Sequence, residues 1–203
     1  GPGDAIKEVA RLCNEVDLVV CCGGDGTFNE TLSGLLSAES KTPIGYIPTG
    51  STNDFASSLK LPLDVLEATK NIIEGQPVPY DAGRFGGRVF SYVASFGAFT
   101  RTSYTTPQSI KNALGHTAYV LEGIQELTQI RNEHIKMIVD GEVVEDDFLF
   151  GAICNSTSVG GVLTLDPDVV DLQDNKLEIL LVRAPRNLAE LHECILALQD
   201  QTY

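Results

Sequence analysis

Glycines, hydroxyls and carboxylates gather at two places in this sequence, Gly23-Gly24-Asp25-Gly26-Thr27 and Pro48-Thr49-Gly50-Ser51-Thr52-Asn53-Asp54. Each follows a short apolar run and precedes a helix-like one, so each is expected to be a turn at the carboxyl end of a strand. Glycine lets the backbone approach a ligand, and a helix start presents unpaired N–H groups at the positive end of its dipole, which suits phosphate oxygens. In open α/β sheets the ligand crevice lies outside the carboxyl ends of the strands, so both turns are expected to face one space. The carboxylate of Asp25 is the awkward member. It repels phosphate at neutral pH unless a cation or a set of donors stands between them. A plain turn and a helix cap remain the alternatives for these two segments.

The elements that would hold these turns alternate helix and strand: helix over Asp4–Asn14, strand over Asp17–Cys22, helix over Phe28–Ala38, strand over Ile44–Ile47, then helical pieces over Asn53–Leu59 and Asp64–Glu74. That order implies a parallel sheet with covering helices. From Pro77 the pattern changes to strands, over Val78–Ala82, Arg88–Phe96, Ile135–Val139, Glu142–Phe150, Gly151–Cys154 and Leu177–Val182, with one long helix over Ser109–Ile130 and a last helix over Asn187–Gln199. Asp140-Gly141 between two β-branched runs marks a hairpin turn. The expectation is an α/β protein, with a nucleotide-binding α/β domain over 1–76 and a mostly antiparallel β domain over 77–203.

With 203 residues and a net charge of −14, the chain has room for a substantial core but not the clustered cations that reward nucleic-acid binding. A local group of Arg84, Arg88, Arg101 and Lys111 is the exception. No apolar run is long enough to span a membrane. The five cysteines are scattered and show no CxxC pair, which suggests a reducing, cytosolic setting without a zinc site. Cys21 and Cys22 look like strand filling, and the three histidines are too dispersed for a metal site.

Gly23-Gly24-Asp25-Gly26-Thr27-Phe28-Asn29-Glu30, then Pro48-Thr49-Gly50-Ser51-Thr52-Asn53-Asp54-Phe55-Ala56 and Tyr80-Asp81-Ala82-Gly83 resemble the soluble bacterial diacylglycerol kinases and the wider lipid-kinase family. The resemblance continues through Ser103–Pro107, Leu114–Tyr119 and Asp168–Leu180. Gly-Gly-Asp-Gly-Thr alone is shared with NAD kinases and phosphofructokinases; the Thr-Asn-Asp-Phe-Ala segment is typical of the lipid-kinase branch.

The resemblance implies a NAD kinase/diacylglycerol kinase-like fold and a lipid kinase that passes the γ-phosphoryl group of ATP to diacylglycerol or a related lipid. ATP phosphates would lie against Gly23, Gly24, Asp25, Gly26, Thr27, Phe28, Asn29 and Ser51. Asp25, Asp54 and Asp81 would stand near the transferring group and organise Mg²⁺. A structural Mg²⁺ would sit in the acidic loop over 166–176, held by the side chain of Asp174 and the carbonyls of Asp171 and Lys176; in that loop Asn175 stands where the family usually has Gly. The protein would be cytoplasmic, peripheral to the membrane that carries its lipid substrate, and compatible with a homodimer.

Two features depart from the family pattern. Its proposed base belongs to a late Asp-Gly-Glu segment expected beyond Tyr203, whereas Asp140-Gly141-Glu142 lies upstream, in the hairpin, and is assigned a turn role. A first strand with an Asn-Pro-x-Ser-Gly nucleotide loop is expected before Gly1. On that reading the chain as given is an internal fragment without turnover of its own. The alternatives are a soluble-substrate kinase of the NAD-kinase type and a catalytically silent nucleotide-binding module. Phe96, Phe99 and Tyr104 border an acyl-chain groove on the family reading and fill a core on the plain one.

Overall fold

A computed structural model describes residues 1–97, 132–159, 163–166 and 168–200. The long helix expected over Ser109–Ile130, the segments Ser103–Pro107 and Leu114–Tyr119, and Phe99 and Tyr104 lie outside these residues. The chain divides into two compact units, one formed by residues 1–94 and 154–178, the other by 95–153 and 179–203.

The first unit opens with helix α1 (Asp4–Leu12) and a short 3₁₀ turn (Cys13–Glu15), then strand β1 (Val19–Gly23), helix α2 (Asp25–Ser37) and strand β2 (Ile44–Pro48). β1 and β2 pair in parallel, from Val19 beside Ile44 to Gly23 beside Pro48. The register therefore brings both Gly-rich turns to one end of the pair. Helix α3 (Asp54–Ser58) leaves the second turn, and α4 (Val65–Glu74) begins at Asp64, whose carboxylate accepts hydrogen bonds from the N–H groups of Leu66 and Glu67. Ile72 of α4 fills the space above Gly45 of β2.

Beneath the turns lies an aromatic core. Phe28 of α2 stacks on Phe55 of α3 with ring centroids 3.9 Å apart, and Tyr46 and Tyr80 meet the same rings at 4.8 and 4.9 Å. Phe28, Tyr46 and Phe55 are buried with Cys21 and Ala56. Burial of each such ring contributes on the order of 1.5–3 kcal/mol, and both Phe28 and Phe55, close behind the candidate acids in sequence, are spent on it. Cys21 fills the core as expected, while Cys22 is exposed.

Two expected strands differ. Residues 78–82 form no strand: Asp81 N–H donates to Leu172 O, and Tyr80 Oη donates to backbone oxygens at Ser91 or Asn155, so the segment takes its partners from distant loops rather than from a ladder. The run expected over Arg88–Phe96 is broken into β4 (Arg88–Phe90) and β5 (Val93–Gly97). At the break Ser91 N–H donates to Asn29 Oδ1 and Tyr92 O accepts from Asn155 N–H. Strand β3 (Gly83–Phe85) pairs antiparallel with β4.

In the second unit β6 (Glu133–Val139) and β7 (Glu142–Cys154) form the hairpin expected at Asp140-Gly141, with φ of 51° and 87° at the two turn residues. The two runs expected over 142–150 and 151–154 are one strand. Its outer half carries exposed ion pairs, His134 with Asp147 and Lys136 with Glu145, and its inner half, Phe148 to Ala152, is buried. Two short strands of the first unit, β8 (Ser158–Val159) and β9 (Leu163–Thr164), pair antiparallel. β7 lies between β5 and β10 (Glu178–Arg183), and helix α5 (Leu188–Asp200) follows. Among the described residues no helix is long and apolar enough to cross a membrane.

Candidate phosphate-binding site

The two turns meet backbone to backbone. A Cβ added at Gly50 would lie 2.5 Å from Gly24 Cα, and one at Gly24 would lie 3.0 Å from Gly50 Cα. Thr49 N–H donates to Gly23 O at 2.9 Å, continuing the strand pairing into the turns. Asn53, in the left-handed region at φ 52°, folds its amide back on Gly50, accepting from Gly50 N–H and donating to Gly50 O. Thr27 packs over Gly23 and occupies the place of its missing Cβ.

Asp25 is the first residue of α2, and its carboxylate points at the start of the neighbouring helix. Oδ1 accepts from Phe55 N–H at 3.0 Å, and Oδ2 accepts from Asp54 N–H and Thr52 Oγ1, each at 3.2 Å. A carboxylate from one turn thus caps the helix of the other, because Asn53, at the N-cap position of α3, makes no side-chain cap of its own. That answers the charge problem posed by the sequence: donors of α3 already compensate Asp25, while α2, with Gly24 at its N-cap, has no side chain among the described residues capping its first N–H groups. Those groups, beside open space at Gly26, are the part of the site suited to anions.

Asp25→Ala is accordingly expected to destabilise the first unit by about 2 kcal/mol, since three hydrogen bonds to a charged acceptor are lost together. Asp25→Asn, which keeps one acceptor oxygen, should cost less. Urea denaturation of the two variants checks this, and unchanged stability in Asp25→Ala would show the cap to be energetically idle.

Asp54 is buried, and no described residue hydrogen-bonds its carboxylate. Burial first, and the negative charge of Asp25 second, hold its carboxyl above the ordinary carboxylate range. A perturbed acid beside an anion-binding turn is where chemistry is expected. Tyr46 is pushed up by burial and by Asp25 and other neighbours. Ser51 is exposed on the second turn. Asn29, expected on phosphate, instead spends its amide on the chain after β3: Nδ2 donates to Val89 O and Oδ1 accepts from Ser91 N–H.

Asp81 is brought to the acidic loop. Its Oδ2 accepts from Asn175 N–H at 2.6 Å, its backbone N–H donates to Leu172 O, and its carbonyl accepts from Asn155 Nδ2. Asn155 is wholly buried and also donates to Leu172 O, which makes it the hub joining residues 80–92 to this loop. Its position after an apolar strand gave no sequence signal. Asn175 has φ 60°, the conformation that glycine would otherwise supply. Asp171 Oδ1 and Asp174 Oδ1 each accept from the N–H two residues on, and Lys176 Nζ lies 3.7 Å from Asp174 Oδ2. Glu178, with a buried unpartnered Oε2, has its carboxyl raised by burial and by Asp174 and Asp171. Among the described residues no three carboxylate, imidazole or thiol groups converge as a metal-binding set.

The second unit contains a groove of about 450 Å³ lined in part by Arg183, Arg186 and Glu190. Both arginines are already engaged by Asp146, at 3.3 and 3.8 Å, so the groove offers no free cation pair.

A parallel strand pair has its glycine turns converging on a helix start, and an antiparallel sheet lies elsewhere in the chain, which defines an α/β protein. Residues 1–85 match the model of the diacylglycerol kinase catalytic domain. The chain is 35% identical over 187 residues to the diacylglycerol kinase of Bacillus subtilis, covering 92% of this chain and 60% of that protein. It is 36% identical over 190 residues to that of Staphylococcus saprophyticus, covering 93% and 62%. A crystal structure of a diacylglycerol kinase from Bacillus anthracis superposes with a TM-score of 0.72 at 28% identity, over 98% of this chain and 63% of that one. The chain is similar to diacylglycerol kinases over most of its own length and has the NAD kinase-like fold of that solved structure, and it spans about three fifths of the length of the curated relatives it matches.

Proposed function

We propose that this chain binds ATP against its two Gly-rich turns and takes part in transfer of the γ-phosphoryl group to the hydroxyl of diacylglycerol or a related membrane lipid, with residues 1–76 handling the nucleotide and 77–203 the lipid. The observation that carries this is the capping of α3 by Asp25, which fixes the second turn against the first while leaving the start of α2 uncapped beside them. Phosphoryl transfer needs positioned donors and little covalent chemistry, and this arrangement supplies positioned donors. Gly23 to Thr27 and Ser51 face the phosphates; Phe28 and Asn29 hold that turn on the core and on β4. The match of residues 1–85 to a kinase catalytic domain supports ATP as the donor.

The buried Asp54 carboxylate, without a hydrogen-bond partner among the described residues and next to Asp25, fits a divalent cation. Magnesium, when bound, would neutralise charge on the phosphate oxygens. A second, structural ion held by the side chain of Asp174 and the carbonyls of Asp171 and Lys176 belongs to the same reading, and the raised carboxyl of Glu178 reports the negative charge that Asp174 and Asp171 bring to that loop. Asp140-Gly141-Glu142 forms a hairpin turn and has no catalytic role in this reading.

The test follows labelled γ-phosphate from ATP in the intact protein, offered diacylglycerol in detergent micelles or NAD⁺ in buffer. A magnesium-dependent lipid phosphate is expected. Product from NAD⁺ alone would replace this reading with a soluble-substrate kinase, and nucleotide binding with no product would leave a silent binding module.

A further inference from the structure

Phe85 is 70% exposed, although a large aromatic side chain is among the groups most favoured by burial. It ends β3, and its cross-strand partner Arg88 begins β4, with Gly86-Gly87 between them. Both glycines have positive φ, 55° and 78°, as a tight primed hairpin turn requires, and nothing lies within 4 Å of where their side chains would be. The tip therefore projects into open space. Phe85 and Arg88, paired beside the turn, share one face, and Arg84 stands on the other.

Neither arginine makes an ion pair with a described residue. This is unusual in a chain with 28 acidic residues against 14 basic ones, yet from Ala82 to Leu121 the sequence has no Asp or Glu at all. The base of the hairpin is held in the opposite way. Phe90 covers Gly83, and Asn29, in the first turns of α2, bonds Val89 O and Ser91 N–H. A projecting aromatic between two free cations, rooted on the helix that opens at the phosphate turn, has the composition of an element that enters an anionic lipid interface.

We propose that the β3–β4 hairpin docks the protein on anionic membranes, Phe85 entering the headgroup region while Arg84 and Arg88 pair with lipid phosphates. The charge of the rest of the chain opposes approach to such a surface, so docking is confined to this patch, and its root on α2 sets the phosphate turn at a fixed reach from the lipid. The proposal rests on a lipid substrate, but docking is measurable without catalysis.

The sequence has no tryptophan, so Phe85→Trp adds a reporter at the tip. With vesicles of phosphatidylcholine containing about one third phosphatidylglycerol, its emission should move to shorter wavelength and be quenched by lipids labelled near the headgroup. Phe85→Ser should lower partition onto these vesicles about tenfold, and Arg84→Gln and Arg88→Gln should lower it roughly fivefold each at low salt. None of the three should change transfer to diacylglycerol in detergent micelles. Vesicle binding of the Phe85→Trp variant with unshifted indole emission, or partition unaffected by the other substitutions, would overturn the proposal, as would absence of binding by the intact protein. Failure of the lipid-kinase reading shows up separately, as no lipid phosphate in micelles whatever the vesicle result.

Discussion

Asp54→Asn in the intact protein is expected to lower phosphoryl transfer at least a hundredfold, on the order of 3 kcal/mol of transition-state stabilisation, while raising the thermal midpoint of the first unit. The two effects have one cause. The carboxylate is buried, has no hydrogen-bond donor among the described residues and faces the charge of Asp25, so its ionised form is disfavoured in the folded protein. The amide has the same shape without the charge, and each 1 kcal/mol relieved raises the midpoint by about 2–4 °C in a protein of this size. Because the native carboxyl titrates above its unfolded value, the folded state holds the proton longer. Stability of the unsubstituted protein therefore falls as pH rises from the ordinary carboxylate value to the raised native one, and stays lower above it. The advantage of Asp54→Asn should be absent at low pH, grow through that window and be complete at neutral pH. Calorimetry across pH in the absence of nucleotide and magnesium, paired with a transfer assay, checks both halves. Equal activity would remove Asp54 from the mechanism, and a lowered midpoint at neutral pH would mean that its carboxylate is stabilised by something other than the contacts described.

A site that keeps an uncompensated acid at the cost of stability contrasts with Asp25, whose charge is used up inside the fold. The sequence alone did not separate the two. Both follow glycine- and hydroxyl-rich runs, and the difference comes from which helix start each carboxylate reaches, a matter of the Gly24–Gly50 contact rather than of local pattern. The strand ends themselves were legible, because apolar runs ending in Gly or Pro-Thr-Gly are local signals, as was the Asp140-Gly141 turn. Val78–Ala82 was not. Val78 and Tyr80 suit any extended segment, and here Leu172 and Asn155, far away in sequence, supply the partners that a neighbouring strand would have supplied. Likewise nothing local marks Asn155, since a buried amide acquires its role only from the three loops it joins.

The closeness of the turns makes Gly50→Ala the most damaging small substitution expected in the first unit. Its new methyl would lie 2.5 Å from Gly24 Cα and 2.8 Å from Asn53 Oδ1, and the first of these is backbone that cannot rotate away. Relief requires the turns to part, which stretches the Thr49 N–H to Gly23 O bond and lifts Asp25 from the N–H groups of Asp54 and Phe55. The cost is expected to be about 3 kcal/mol, combining overpacking with weakened charged hydrogen bonds, and nucleotide affinity should fall by more than about tenfold because the α2 start and the second turn no longer share one geometry. Gly24→Ala, with its contact at 3.0 Å, should be milder, and Gly26→Ala, with open space around it, close to neutral in stability. The series separates crowding from mere loss of glycine. Urea denaturation and equilibrium binding of ATP to the three variants give the order, and a Gly26→Ala variant as unstable as Gly50→Ala would mean that backbone freedom, and not the contact between the turns, is what these glycines provide.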